Sequence, residues 1–73
     1  MYEKLAVTLA RRTHEARQRA ALTQEQVAES IGLPVDAYRR LERGRLLPGL
    51  PVLVGLAAVL RTSTDALLGL EPG

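Results

Sequence analysis

The chain has no cysteine among its 73 residues, so no disulfide framework holds it together and no thiolate is available to a metal. It has one histidine, His14, and a single histidine without cysteines argues against a zinc site. Apolar residues make up 47% of the chain, enough for a core, but they never run long enough to span a bilayer. The first residues also lack the basic start and apolar stretch of a secretion signal. β-Branched residues are few and never alternate with polar ones, which argues against strands. There is no internal repeat, no low-complexity tract and no glycine-rich phosphate loop. No Ser, Cys or carboxylate constellation surrounds His14, which reads as a surface residue, so the chain reads as a non-enzyme that needs no cofactor. What these absences leave is a soluble, cytoplasmic, all-α domain with no membrane segment.

A domain this short buries only about 60% of its unfolded surface, so it is marginal unless its helices pack well or it oligomerises. The formal net charge is only +2, but it is unevenly spread. Between positions 39 and 45 stand Arg39, Arg40, Arg43 and Arg45 against a single acid, Glu42. That local excess points to a polyanionic partner. The plainer structural account is that basic residues at a helix end complement its dipole and stay solvated.

From about Tyr2 to Arg19 there is no Gly or Pro, and Leu5, Leu9, Thr13 and Ala16 recur at helical spacing, which predicts a first helix of four to five turns. Thr23 is a good N-cap, and Gln26 stands where a capping box wants Glu or Gln, so a second helix should begin at Gln24. Val27, Ala28 and Ile31 form its apolar face, and Gly32 supplies the left-handed residue that ends it. Pro34 fits the first turn of a third helix, in which Ala37, Tyr38 and Leu41 face inward and which Gly44 closes. Helix, tight turn and helix at this spacing are what a helix-turn-helix requires, with the second helix shaped to enter a DNA major groove. The following prolines and glycine bar regular helix, and Leu46, Leu47 and Leu50 predict an ordered loop that shields them from water. Pro51 should open a fourth helix through Leu53, Leu56, Ala57 and Leu60. Thr62 or Ser63 should cap a fifth, ended by Gly69, before a frayed tail over 70–73.

The ordered set Leu22-Thr-Gln-Glu-Gln-Val-Ala28, Gly32-Leu33, Leu41-Glu-Arg-Gly44, Pro48, Leu53-x-x-Leu-Ala57-x-x-Leu60 and Asp65-x-Leu67 resembles the phage-repressor and Cro-like helix-turn-helix regulators, the XRE family, over almost the whole chain. The resemblance implies a compact five-helix bundle in one domain spanning 1–73, with the helix-turn-helix at about 23–43. It also implies a structural salt bridge from Arg17 on the first helix to Glu42 at the end of the third. In the family, Gln24 would bind a phosphate and brace the recognition helix, with Thr23 as cap, phosphate contact or both. The base-facing positions would be Val35, Asp36 and Arg40. Arginine in the major groove can bind guanine O6 and N7 bidentately, which makes Arg40 the principal candidate. Arg39 would reach phosphate or water, and Arg43 and Arg45 would clamp the backbone.

Two departures stand out. Where many relatives open the third helix with polar residues, this chain has Pro34, Val35 and Asp36. Val35 can touch a thymine methyl; Asp36 reads either as an acceptor for cytosine N4 or as a first-turn acid favoured by the helix dipole, and both readings stay open. The fourth helix is apolar nearly all round, with Val52, Val54, Gly55 and Ala58 where polar residues are usual. With Leu46 and Leu47 this surplus face predicts a homodimer interface, Gly55 allowing close helix approach. No segment is left over for an effector domain. The expectation is therefore a small repressor or controller that binds double-stranded DNA as a homodimer on a near-palindromic operator. The alternative is a protein-interaction module of the same fold, an antitoxin or anti-repressor that binds a protein partner.

Overall fold

Local capping sets most of the helix boundaries. The computed structural model describes residues 2–70 and arranges them as α1 (Tyr2–Arg19), α2 (Gln24–Ser30), α3 (Val35–Glu42), α4 (Leu50–Val59) and α5 (Thr64–Leu68). The all-α, five-helix architecture read from the sequence is the one found, with no strand among the described residues. Thr23 and Gln26 form the reciprocal capping box: the Gln26 amide donates to Thr23 Oγ1 at 3.0 Å and the Thr23 amide to Gln26 Oε1 at 2.8 Å. Ser63, rather than Thr62, caps α5 by accepting from the Ala66 amide at 2.9 Å.

Gly32 ends α2 with φ +68°, and the Leu33 amide then reaches back to the Ala28 carbonyl at 2.9 Å. Gly44 has φ +75° for a second reason besides chain reversal. A Cβ there would meet Val7 Cγ2 at 3.3 Å and Val7 Cα at 3.4 Å, so this turn lies directly against α1.

The core is built from one stripe of every helix. Leu9 and Ala16 of α1, Val27 and Ala28 of α2, Tyr38 and Leu41 of α3, Leu53, Leu56 and Ala57 of α4, Leu60 just after it and Leu67 of α5 form one buried cluster. Thr13 is buried among them, at the position where α1 turns its stripe inward. Leu22, Ile31 and Leu33 pack against this cluster from the loops and helix ends and anchor the connections to the core.

Two local expectations are corrected. Pro34 does not occupy the first helical position: its ψ of 141° is extended, it serves as the N-cap of α3, and its carbonyl accepts the first helical bond from the Tyr38 amide at 3.0 Å. Leu50 belongs to α4 and not to a shielded loop; it is 74% exposed, and Leu47 before it is also exposed. Only Leu46 of that trio packs on the core. The frayed tail expected over 70–73 lies, for 71–73, outside the described residues.

Candidate nucleic-acid interface

A single carboxylate ties the end of α3 to α1 and α2. Glu42, the last residue of α3, has a side chain only 4% exposed, and its two oxygens accept from four residues on three helices. From α1, Arg17 Nε donates to Oε2 at 2.6 Å and Arg17 Nη2 to Oε1 at 3.1 Å, while His14 Nδ1 lies 2.9 Å from Oε1. From α2, Gln24 Nε2 donates to Oε1 at 3.3 Å. From α3 itself, the Tyr38 hydroxyl donates to Oε2. A carboxylate can only accept, so the His14 proton on this side must sit on Nδ1. The 3.1 Å approach of Arg17 Nη2 to the same nitrogen is therefore a contact between two donors and not a hydrogen bond. Arg17 Nη1 closes the arrangement by donating to the Leu22 carbonyl at 3.0 Å, which fastens the loop before α2.

The electrostatics follow from these bonds. Burial pushes the Glu42 carboxyl up, but the hydrogen bonds from Arg17, Tyr38, His14 and Gln24 outweigh it and hold the group at about 2. The Tyr38 phenol is raised, first by burial and then by its bond to Glu42. The Arg17 guanidinium is also raised, chiefly by its bond to Glu42. A carboxylate with this many donors stays charged and fully paired, which makes it a strut rather than a reactive group.

Sequence reasoning through the family resemblance reaches Arg17 and Glu42 but misses Tyr38 and His14. Both were legible in principle. Tyr38 is four residues before Glu42 on one helix, and His14 three before Arg17, so each pair shares a helix face. His14 is corrected accordingly: its ring is partly exposed, yet it takes part in the network instead of standing free on the surface.

Around this strut lie the residues expected to meet DNA. Thr23 is exposed, and its hydroxyl, already accepting from Gln26, keeps its own proton to donate outward. Gln24 opens α2 and braces α3 through Glu42. Asp36 is exposed in the first turn of α3, whereas Val35, beside it, packs partly against the hydrophobic core. Arg40, Arg43 and Arg45 are exposed, and among the described residues none of them has an ion-pair partner. Arg39 differs: its Nη2 lies 2.9 Å from Glu25 Oε2 on α2 and its Nη1 3.5 Å from Asp36 Oδ1.

The fourth helix divides its apolar residues between two tasks. Val52, like Leu46, is partly buried and packs against the core. Gly55 is half-buried beside the end of α2, where a Cβ would meet Ile31 Cγ2 at 3.4 Å, an ordinary van der Waals contact. Around this helix the exposed apolar side chains include Leu47, Leu50, Val54 and Ala58, with Val54 57% exposed. Among the described residues no helix is long and apolar enough to cross a membrane, and no cluster of metal-ligating side chains occurs.

A family model described as helix-turn-helix matches residues 14–67, which include the whole Glu42 network and both helices of the motif. The chain belongs to the helix-turn-helix family of XRE and phage-repressor type. Over 56 residues it is 41% identical to the cryptic phage CTXphi transcriptional repressor RstR of Vibrio cholerae serotype O1, a match covering 74% of this chain and 50% of that one. The chain thus matches about half the length of this curated relative. Its fold is similar to the crystal structure of the hypothetical transcription factor NHTF from Neisseria, with a TM-score of 0.82 and 26% identity, covering 93% of this chain and 78% of the other. These relationships place the chain with helix-turn-helix proteins, among them a phage transcriptional repressor, and not with an enzyme family.

Proposed function

We propose that this chain is a sequence-specific DNA-binding transcriptional regulator, a cytoplasmic repressor or controller that acts as a homodimer on a near-palindromic operator. The observation that carries this reading is the open charge at the end of α3. Glu42, the one acid within the arginine run, is turned inward and paired, which leaves Arg40, Arg43 and Arg45 to present uncompensated positive charge outward. Thr23 and Gln24 at the start of α2 would meet one phosphate, Arg43 and Arg45 others, and Arg40 the base edges. Such contacts predict an affinity that falls steeply with salt. Titrating DNA fragments from near the protein's own coding region at two salt concentrations tests this directly: tighter binding to one fragment than to random DNA, weakened by salt, is the expected result. Equal binding to every fragment would remove sequence specificity from the proposal.

The molecule's size supports the dimer in this reading. The molecule measures 29 × 22 × 20 Å and presents one recognition helix, whereas successive major grooves on one DNA face are about 34 Å apart. Two copies are needed to read two half-sites. The open apolar surface of Leu47, Leu50, Val54 and Ala58 supplies a face for the second copy. Val54→Glu would place a charge in that contact, and light scattering should then report a monomer; a dimer that persists would move the interface elsewhere. The second reading, a protein-interaction module such as an antitoxin or anti-repressor, uses the same face for a different protein. A stable heterocomplex indifferent to DNA and salt would favour it.

A further inference from the structure

Arg39 sits on the helix expected to read DNA, yet its guanidinium is taken up within the protein. One nitrogen pairs with Glu25 across the α2–α3 corner at 2.9 Å, and another faces Asp36 one turn back on α3 at 3.5 Å. Of the four arginines between positions 39 and 45 it is the one with ion-pair partners among the described residues. Its side chain is 37% exposed, within reach of solvent and of an approaching phosphate. Glu25 is the second residue of α2, directly after Gln24, and so stands at the same helix start that would meet the DNA backbone. A carboxylate there is an unfavourable neighbour for phosphate, but a favourable one for a helix N-terminus and for Arg39.

We propose that Glu25 is a specificity-determining residue: by holding Arg39 against α2 and beside Asp36, it keeps that arginine off the phosphate backbone and leaves discrimination to the groove-facing side chains. This inference rests on the DNA-binding reading. Its physical logic is that each arginine freed to meet a phosphate adds affinity for every sequence alike, and so dilutes the difference between operator and random DNA.

A double-mutant cycle tests this, with binding to the preferred genomic fragment and to random DNA measured at several salt concentrations. Glu25→Gln should raise affinity for random DNA several-fold and steepen the dependence of log K on log salt by about one, the change for one additional phosphate contact. Adding Arg39→Ala to Glu25→Gln should abolish that gain, and Arg39→Ala should cost less in the parent chain than in the Glu25→Gln background. Glu29→Gln, which removes an exposed acid of the same helix with no ion-pair partner among the described residues, measures the effect of charge alone. It should give the smaller gain, with no dependence on Arg39. A Glu25→Gln gain that survives without Arg39, or one that only equals that of Glu29→Gln, would overturn the inference while leaving DNA binding intact. Failure of the parent chain and all variants to bind any DNA would instead overturn the functional reading, and this inference with it.

Discussion

Glu42→Ala is expected to destabilise the fold by about 3–5 kcal/mol, the usual consequence of removing one partner from a buried charged network. The change leaves the Arg17 guanidinium and the buried Tyr38 hydroxyl without their acceptor and unties α1 and α2 from the end of α3. A domain of this length has on the order of 4–11 kcal/mol of total stability, so the loss is a large fraction of it. Thermal unfolding followed by circular dichroism should show a melting temperature lower by more than about 10 °C. An unchanged melting curve would show that the network is ornamental. The same carboxylate makes an acid-stability prediction with a definite sign. Its folded value of about 2 is depressed below the ordinary 4.5, so the stabilisation is fully present above pH 4.5 and is lost as pH falls from there through 2. The magnitude is on the order of 3 kcal/mol. Glu42→Gln removes the titrating group while keeping the shape, and its stability should change less over that window than the parent's. Equal pH dependence in the two would assign acid unfolding to other groups.

Arg40→Ala is expected to lower affinity for the preferred DNA site by about 1–3 kcal/mol and affinity for random DNA far less. Arg40 is exposed near the end of α3, has no ion-pair partner among the described residues, and sits on a helix whose orientation Glu42 holds from two other helices. Rigid placement matters because bidentate recognition of guanine tolerates little angular error. Arg43→Ala and Arg45→Ala should behave differently, weakening all sequences alike and flattening the salt dependence by about one each. If Arg40→Ala follows that uniform pattern instead, Arg40 is a phosphate clamp, and reading must come from Asp36 or its neighbours.

The two expected effects come from opposite ends of one helix turn, and this explains why a modest sequence suffices. Glu42 faces inward and Arg40 outward, two residues apart, because two steps of about 100° bring side chains to nearly opposite faces of a helix. The acid is removed from the surface, where it would have weakened attraction to phosphate, and is put to use fixing the helix. What remains charged outside between positions 39 and 45 is positive. The arginine excess visible in the sequence is therefore larger at the surface than a count of charges implies. Arg39, joined to Glu25 and Asp36, runs against this trend.

The five helices, the Thr23 capping box, the Gly32 and Gly44 turns and the inward residues Leu9, Val27, Tyr38 and Leu41 were legible in the sequence, because capping, left-handed glycines and apolar periodicity act within a few residues of one another. The family likeness was legible for a related reason: its motifs preserve those same local devices at set separations. What only the tertiary structure decided lies between residues far apart in the chain. Glu42 gathers donors from positions 14, 17, 24 and 38, Gly55 accommodates Ile31, Val35 turns to the core, and Arg39 finds Glu25. Leu50, apolar and expected in shelter, is left exposed at the start of α4. Burial and pairing at such positions depend on how whole helices are angled against each other, and that angle is set by the summed packing of all five and not by any local stretch.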